Sequence, residues 1–245
     1  AIIQRIVNMI HFGDGYMQAD AYLSAEDAAW LREYREGTVP ADLERMREIL
    51  AVRPIRPWNI LAITFTNKAA GEMKERVERL VGMGAESIWV TTFHSTCVRI
   101  LRRFADRLGY DNNFTIYDTD DQKSVMKDVC KHLQIDTKQM KERTILSAIS
   151  SAKNELVGVQ EYETQAMGDF RKQKVAAAYR EYQNILKKNN AMDFDDLIMN
   201  AVELFKACPD VLEYYQKRFR YIMVDEYQDT NFAQHSIVLQ LTQEH

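Results

Sequence analysis

The order of strand and helix patterns constrains this chain more than any other feature of its sequence. The apolar run Asn59-Ile-Leu-Ala-Ile-Thr64 leads through a polar turn into an apolar stripe at helical spacing from Ala69 to Leu80. The same order repeats at Ser87-Ile-Trp-Val-Thr-Thr92, followed by a helical stripe from Val98 to Leu108. Strands that alternate with helices form parallel sheets, because each crossover helix returns the chain to the same end of the sheet. The sequence therefore predicts an α/β protein with a parallel sheet.

A long helical stretch interrupts this alternation. From the capping box Thr119-Asp-Asp-Gln122 to about residue 190, apolar residues recur at helical spacing with no strand pattern between them, as in the stripe Val175, Tyr179, Tyr182 and Leu186. Strand and helix patterns then return, with a helix over about residues 194–207 and the apolar strand Tyr221-Ile-Met-Val224. We expect an α/β domain that is split in sequence by an all-helical insertion. The expected parts are residues 1–108 as the first half, 109–190 as the insertion and 191–245 as the second half.

The first 57 residues carry helical patterns and no recognisable chemistry. Helical apolar spacing covers Ala1 to Ile10, a capping box occurs at Ser24-Ala-Glu-Asp27, and a third helical stretch begins at Pro40.

Charge is unevenly distributed along the chain. The formal net charge of −4 argues against a protein that binds nucleic acid over its whole surface. Residues 131–190, however, hold 11 Lys and Arg against 7 Asp and Glu, whereas residues 192–245 hold 4 against 10. The segment 131–190, which is only part of the expected insertion, is thus basic. This suits contact with DNA, although a solvated helix face would have the same composition.

Cysteine usage and hydropathy point to the cell interior. Cys97, Cys130 and Cys208 lie singly in apolar or helical contexts without metal-ligand spacing, so we expect buried thiols. No apolar run approaches the roughly 20 residues of a membrane span, and the N-terminus lacks the pattern of a signal peptide. We expect a protein of the cytoplasm with no membrane partner.

The strongest chemical signal is the cluster of carboxylates after the last strand, in Tyr221-Ile-Met-Val-Asp-Glu-Tyr-Gln-Asp-Thr230. Ligands of open parallel sheets bind beyond the carboxyl ends of the strands, where Asp225 and Glu226 would emerge. An Asp in such a place suits Mg²⁺, and an adjacent Glu can orient and deprotonate an attacking water. The alternative is that these acids only end a strand and cap the next helix.

Two polar loops follow the first two strands. Thr64-Phe-Thr-Asn-Lys68 offers hydroxyls, an amide, a cation and a helix N-terminus to phosphate oxygens, and Phe65 can stack on a base. Thr91-Thr-Phe-His-Ser95 repeats this chemistry, so the two loops would form one track for single-stranded DNA along a sheet edge. In the alternative interpretation, Thr66 or Asn67 only caps the helix and Phe65 belongs to the core.

Two further features have plainer explanations. His94 has no second His or Cys at ligand spacing and is more typical of a structural histidine than of a catalyst. Asp193-Phe-Asp-Asp196 is typical of a helix N-cap followed by acids that favour the helix dipole.

Taken together, these motifs resemble the UvrD/PcrA/Rep helicases of superfamily 1, and the PcrA type most of all. Trp58 to Ala70 resembles the family's motif Ia, Thr91 to Ser95 its next DNA-contacting motif, and Val224 to Asp229 its motif II. The similarity extends over about residues 58–245 and includes Ser151-Ala-Lys-Asn-Glu155. It implies a first RecA-like domain of the P-loop NTPase type, with helices on both faces of its parallel sheet and a helical subdomain inserted into it.

The resemblance also implies roles for individual residues. The position matching Asp225 holds Mg²⁺, that matching Glu226 activates water for ATP hydrolysis, and that matching Gln228 helps to sense the nucleotide. The helical subdomain resembles the part that approaches duplex DNA, so we expect single-stranded DNA and its junctions with duplex as partners. The residues expected to contact the strand are Thr64, Phe65, Thr66, Asn67, Lys68, Thr92, Phe93 and His94.

Two departures from the family pattern matter. None of the nine glycines precedes a lysine, so the phosphate-binding loop Gly-x-x-x-x-Gly-Lys-Ser/Thr is absent. Ala1 to Ile10 resembles the helix after that loop, so we expect the chain to start just downstream of it and to stop before the second RecA-like domain. Residues 11–57 exceed the family's usual link to motif Ia, and we interpret them as a lineage-specific insertion.

The leading interpretation is part of an ATP-dependent 3′-to-5′ DNA helicase of DNA repair or replication, inactive as this chain alone. One alternative is a non-catalytic module that binds DNA or docks a partner. Another is the motor part of a helicase-nuclease. The sequence indicates no particular protein partner.

Overall fold

Strands and helices alternate in the structure, a computed structural model that describes residues 2–12, 25–38, 42 and 55–243. The strands are β1 (Ile60–Thr64), β2 (Trp89–Thr92), β3 (Thr115–Ile116), β4 (Ala191–Met192) and β5 (Tyr221–Val224). The helices are α1 (Ile2–Phe12), α2 (Ala25–Glu36), α3 (Asn67–Val81), α4 (Phe93–Phe104), α5 (Thr119–His132), α6 (Glu142–Asn154), α7 (Val159–Gln165), α8 (Phe170–Lys188), α9 (Phe194–Ala207), α10 (Pro209–Arg218) and α11 (Phe232–Thr242). The predicted α/β class is confirmed. None of the described helices is both long and apolar enough to cross a membrane.

The chain forms two compact units, each built from segments that are distant in sequence. The first unit contains Ala1–Thr92 and Lys217–Asp225, and the second contains Phe93–Gln216 and Glu226–His245. These limits are not the ones expected after residues 108 and 190, and the expected domain division stays a prediction.

The first unit is organised around a three-stranded parallel sheet in the order β2-β1-β5. β1 pairs with β2 up to Thr64↔Thr92 and with β5 up to Ile63↔Val224. Every residue of β1 is buried, as expected for a central strand that is covered on both faces. β5, which its apolar sequence predicts to be buried, is only partly buried, because it has a single neighbouring strand in the described sheet.

Helices α1 and α3 contribute to one apolar core in the first unit. α3 buries Ala70, Met73 and Val77 along one side. α1 adds Ile6 and Met9, which are also buried. Fully burying side chains of this kind stabilises the fold by roughly 1.5–3 kcal/mol each. The stripe predicted on α3 is therefore confirmed at Met73 and Val77 and wrong at Leu80, which is 49% exposed.

The second unit contains the segment predicted to be helical. Its helices α5, α6 and α8 pack together and enclose an apolar core. The stripe predicted from Val175 to Leu186 on α8 is buried, and its Tyr179 and Tyr182 are among the largest fully buried side chains of the chain.

A short parallel strand pair lies at the two ends of this segment. Thr115 pairs with Ala191 and Ile116 with Met192. The sequence showed only a short apolar stretch at 114–117, because strands of two residues are too brief to establish a pattern. The pairing brings together the two ends of the expected insertion.

Two of the three helical stretches expected in the first 57 residues lie in the described part of the chain, as α1 and α2. The stretch that begins at Pro40 lies outside the described residues, and so does most of the segment 11–57 interpreted as an insertion.

The three cysteines are free and buried, as their contexts predict. Burial raises the pKa of the Cys97 thiol to about 12, so this side chain stays protonated and behaves as a small apolar group.

Candidate functional site

Three of the predicted site residues lie side by side at the carboxyl edge of the sheet in the first unit. Thr64 and Thr92 are register partners at the ends of β1 and β2. The backbone N–H of Asp225 donates to the carbonyl of Ile63 at 2.9 Å, which extends the pairing of β5 by one residue. Both threonine side chains are buried, whereas Asp225 is half-buried. Asp225 therefore emerges beside the end of β1, where the parallel sheet was expected to present it.

The loop after β1 becomes the first turn of α3. Thr66 is its N-cap, and the Thr66 hydroxyl accepts a hydrogen bond from the backbone N–H of Ala69 at 3.1 Å. Asn67 is exposed, and the side chain of Lys68 is 88% exposed. Phe65 is half-buried. Thr66 therefore caps the helix, while the side chains of Asn67 and Lys68 are exposed at the helix N-terminus.

The loop after β5 has a strained backbone. Glu226 adopts φ 50° and ψ 43°, in the left-handed region that costs a non-glycine residue about 1 kcal/mol or more. A 3₁₀ turn over Tyr227–Asp229 follows, closed by a bond from the Asp229 N–H to the Glu226 carbonyl at 2.9 Å. The side-chain amide of Gln228 donates to the Glu226 carboxylate. Strained residues of this kind cluster at functional sites, and this one leaves its carboxylate exposed.

The loop expected after β2 is the first turn of α4. Phe93 is only 2% exposed, so its ring belongs to the core. His94, the next residue, is half-buried. Burial lowers the pKa of His94, and the nearby carboxylate of Asp195 opposes this shift without reversing it. His94 is therefore a neutral imidazole at pH 7.

Phe194 is a residue that the sequence analysis did not single out. Its ring is 48% exposed and meets the ring of His94 edge-on, with 5.8 Å between the centroids and 77° between the planes. The predicted cap explains this placement. Asp193 and Asp196 form a capping box that buries both acids, while Phe194, between them, points to solvent. The sequence feature that could have identified Phe194 is its position as an aromatic residue between two capping acids.

A buried ionic cluster, also missed from the sequence, holds the start of α9. The ammonium group of Lys153 on α6 lies 2.7 Å from the Asp193 carboxylate and 2.8 Å from that of Asp196. The Tyr182 hydroxyl donates to Asp193 and the Gln183 amide to Asp196, each at 3.0 Å. Burial lowers the pKa of Lys153, but the two carboxylates outweigh it and raise the pKa overall. Lys153 is therefore a buried cation.

Asp225 fits the donor chemistry of Mg²⁺. No group of three or more His, Cys, Asp or Glu side chains in the described part of the chain is placed to hold a metal ion by itself. Mg²⁺ does not need one, because it usually keeps several waters and binds one or two carboxylates together with substrate phosphates. The 245-residue sequence contains such carboxylates, but no Gly-Lys-Ser/Thr segment that would cradle the phosphates.

Known proteins similar to this chain agree with its motifs. Residues 43–245 match the family model of the UvrD/REP helicase N-terminal domain. Over 199 residues, 81% of the chain, the sequence is 54% identical to the ATP-dependent DNA helicase PcrA of Bacillus subtilis (strain 168). Over 194 residues, 79% of the chain, it is 56% identical to the protein of the same name from Staphylococcus aureus (strain Mu50 / ATCC 700699). The chain spans about a quarter of the length of these relatives, 27% and 26%.

Proposed function

The chain belongs to the UvrD/REP helicase N-terminal domain family, and from this premise we propose that it is part of the motor of an ATP-dependent DNA helicase. The motor moves 3′ to 5′ on single-stranded DNA and unwinds duplex at single-strand junctions, in the repair or replication of a bacterial chromosome. It therefore works in the cytoplasm, at the nucleoid. The family's RecA-like fold accounts for the parallel sheet β2-β1-β5. The observation that carries the proposal is the exposed carboxylate of the strained Glu226, directly after Asp225 at the end of β5.

Asp225 and Glu226 carry the nucleotide half of this proposal. Asp225, fixed by its backbone bond to Ile63, would hold Mg²⁺ together with phosphate oxygens of ATP. Bound Mg²⁺ neutralises charge that develops on the transferred phosphoryl group. Glu226 would orient the attacking water and accept its proton, and Gln228, bonded to Glu226, would sense the nucleotide.

Two sets of side chains carry the DNA half. In the first unit, Phe65, Asn67 and Lys68 surround the N-terminus of α3, where an amide, a cation and backbone N–H groups can meet phosphate oxygens. In the second unit, His94 and Phe194 form an aromatic pair on which a base can stack. Stacking and phosphate contacts are tolerant of base identity, so binding is independent of sequence.

The remaining predicted contacts lie in the same loops. Their side chains are buried or engaged in a helix cap, so these residues shape the loops that meet the strand. These residues are Thr64, Thr66, Thr92 and Phe93.

A non-catalytic module that binds DNA is a second candidate function for this chain taken by itself. One observation favours it, the absence of a Gly-Lys-Ser/Thr segment from the 245 residues.

The test is Glu226→Gln in an intact motor that contains this chain and a phosphate-binding loop. The substitution keeps the size of the side chain and removes the base. We expect DNA-stimulated ATP turnover to fall by about 10²- to 10⁴-fold, measured by phosphate release, because general-base catalysis contributes about this much. Affinity for a fluorescent ATP analogue should change little.

Glu75→Gln is the matched control, since Glu75 is an exposed glutamate on α3 that has no role in the proposed mechanism. It should leave both turnover and affinity unchanged. Equal losses of ATP affinity and turnover in Glu226→Gln would assign Glu226 a structural role and remove this mechanism.

A further inference from the structure

Two neighbouring residues at the end of α6 contact the helix caps that lie next to the two parts of the proposed site in the second unit. Lys153 binds Asp193 and Asp196, the acids on either side of Phe194. Asn154, the last residue of α6, accepts a hydrogen bond at its Oδ1 from the Nδ2 of Asn231, with 2.5 Å between the two atoms.

Asn231 belongs to the segment that carries Glu226. It follows the 3₁₀ turn and caps α11, where its Oδ1 accepts from the N–H of Gln234 at 2.8 Å. The turn between Glu226 and Asn231 is closed by backbone bonds, including one from the Thr230 N–H to the Tyr227 carbonyl at 3.2 Å. A compact turn therefore connects the Glu226 carboxylate to the side chain that binds Asn154.

The other end of this connection is the aromatic pair. Buried ion pairs often add no net stability over apolar packing of the same volume, but hydrogen bonds and ion pairs within a buried polar network favour one arrangement of its members. Lys153, Asp193 and Asp196 specify the first turn of α9. That turn is what holds Phe194 outside the core and against His94.

The end of α6 is itself a place where the backbone changes direction. Glu155 is the C-cap, and Leu156 adopts φ 58°, which is strained for a residue with a side chain. Coupling between two sites requires an element whose arrangement both sites bias. The last turn of α6 contacts the caps of α9 and α11, and it is followed by the strained backbone of Leu156.

We propose, on the basis of the proposed function, that Asn154 and Lys153 are positioning residues that couple the nucleotide loop to the aromatic pair. A change at Glu226 with nucleotide state moves Asn231 and, through its bond to Asn154, the end of α6. Lys153 passes the change to the first turn of α9 and so to Phe194. Neither residue touches nucleotide or DNA in this scheme.

The experiment measures ATP turnover with and without oligo(dT) in the intact motor. Asn154→Ala removes the bond to Asn231 and leaves the Asn231 cap of α11 in place. We expect the stimulation by oligo(dT) to fall about 3- to 10-fold, the effect of losing one hydrogen bond in a coupling network. DNA-free turnover should be unchanged. A merely structural role would instead lower both turnovers together with the folded fraction.

Two variants on the same helix separate the bond from the fold. Asn154→Asp keeps the acceptor oxygen for Asn231 and loses the local bond from Asn154 to the Ser150 carbonyl, at 2.9 Å. It should retain most of the stimulation. Ser151→Ala removes an exposed bond to the Ser147 carbonyl, at 3.0 Å, and should behave as wild type.

A double variant tests the direction of the coupling. Phe194→Ala with Asn154→Ala should lose no more stimulation than Phe194→Ala alone, because both substitutions act through the same ring. Additive losses would overturn the inference, as would unchanged stimulation in Asn154→Ala or equal losses in Asn154→Ala and Asn154→Asp. In those cases the proposed function stands. A wild-type motor with no oligo(dT) stimulation would remove the proposed function and the inference with it.

Discussion

At the scale of single residues, exposure decides which aromatic rings can meet a base. Phe93 lies in a motif that resembles a DNA-contacting segment, yet it is 2% exposed and packs in the core. Phe194 lies in a segment interpreted as a helix cap, yet it is 48% exposed beside His94. A motif thus identifies the segment, and the burial of each side chain identifies the ring that is available for stacking.

Phe194→Ala should weaken the binding of fluorescent oligo(dT) by about 5- to 150-fold, since stacking one base on an aromatic ring contributes ~1–3 kcal/mol. The melting temperature should change little, because half of the ring is already exposed. Anisotropy titrations beside melting curves measure both quantities.

Phe170→Ala is the matched control for this measurement. Phe170 also occupies the first position of a helix after an aspartate cap, Asp169, and is 72% exposed. It should bind oligo(dT) as wild type does. If Phe194→Ala melts earlier but binds with unchanged affinity per folded molecule, Phe194 is a packing residue.

At the scale of elements, the caps of two helices hold polar side chains that form long-range contacts. Capping boxes begin α9 at Asp193 and α11 at Asn231, and each cap has one further bond to the end of α6. The two caps differ in burial, since Asp193 is 3% exposed whereas Asn231 is half-buried. The cation that neutralises the buried cap, Lys153, should therefore matter most for stability.

Lys153→Met should lower the free energy of unfolding by about 3–5 kcal/mol at pH 7, because it leaves two carboxylates buried without their cation. Urea unfolding measures the loss. It should shrink as the pH is lowered. Burial raises the pKa of Asp196, and loss of Lys153 removes the attraction that opposes this rise, so the folded variant takes up a proton at a higher pH than the folded wild type and loses its excess buried charge as the pH falls.

Lys206→Met is the control for this loss. Lys206 lies 2.8 Å from Glu203, but both side chains are about half exposed, so their pair should contribute less than about 1 kcal/mol. Equal losses in the two variants would show that the Lys153 cluster is solvated in solution.

At the scale of the whole molecule, the chain passes between its two units three times, and two of these passages lie within motifs that the sequence singled out. One passage lies between Thr92 and Phe93, and another between Asp225 and Glu226. Residues assigned to one motif therefore belong to different compact units. ATP hydrolysis also depends on more than single residues, because phosphate binding requires a loop that the 245 residues do not contain.

The 245-residue chain by itself should show no ATP turnover above the buffer background, even with Mg²⁺ and oligo(dT). Carboxylates that hold Mg²⁺ cannot replace the lysine and backbone donors that cradle the phosphates. Phosphate release is the measurement, with the intact motor as the positive control. Turnover that Glu226→Gln abolishes in this same chain would show that other residues hold the phosphates.

Local pattern was enough to determine many elements of this protein. The strands at Ile60–Thr64 and Tyr221–Val224, the buried stripe on α8 and the cap at Asp193 were all predicted. Each depends on a repeat or a spacing within a few residues, which the chain records directly. Parallel strands also imply a common carboxyl edge, so the position of Asp225 beside β1 followed from the order of elements.

Tertiary structure alone decided which side chains are buried, exposed or paired across long separations. Lys153 meets acids about 40 residues further along the chain, and Asn154 meets Asn231, 77 residues away. Phe93 is covered while Phe194 is left exposed, although both are aromatic residues at the first position of a helix. Burial and pairing depend on neighbours from other segments, and the spacing of residues within one segment carries no record of them.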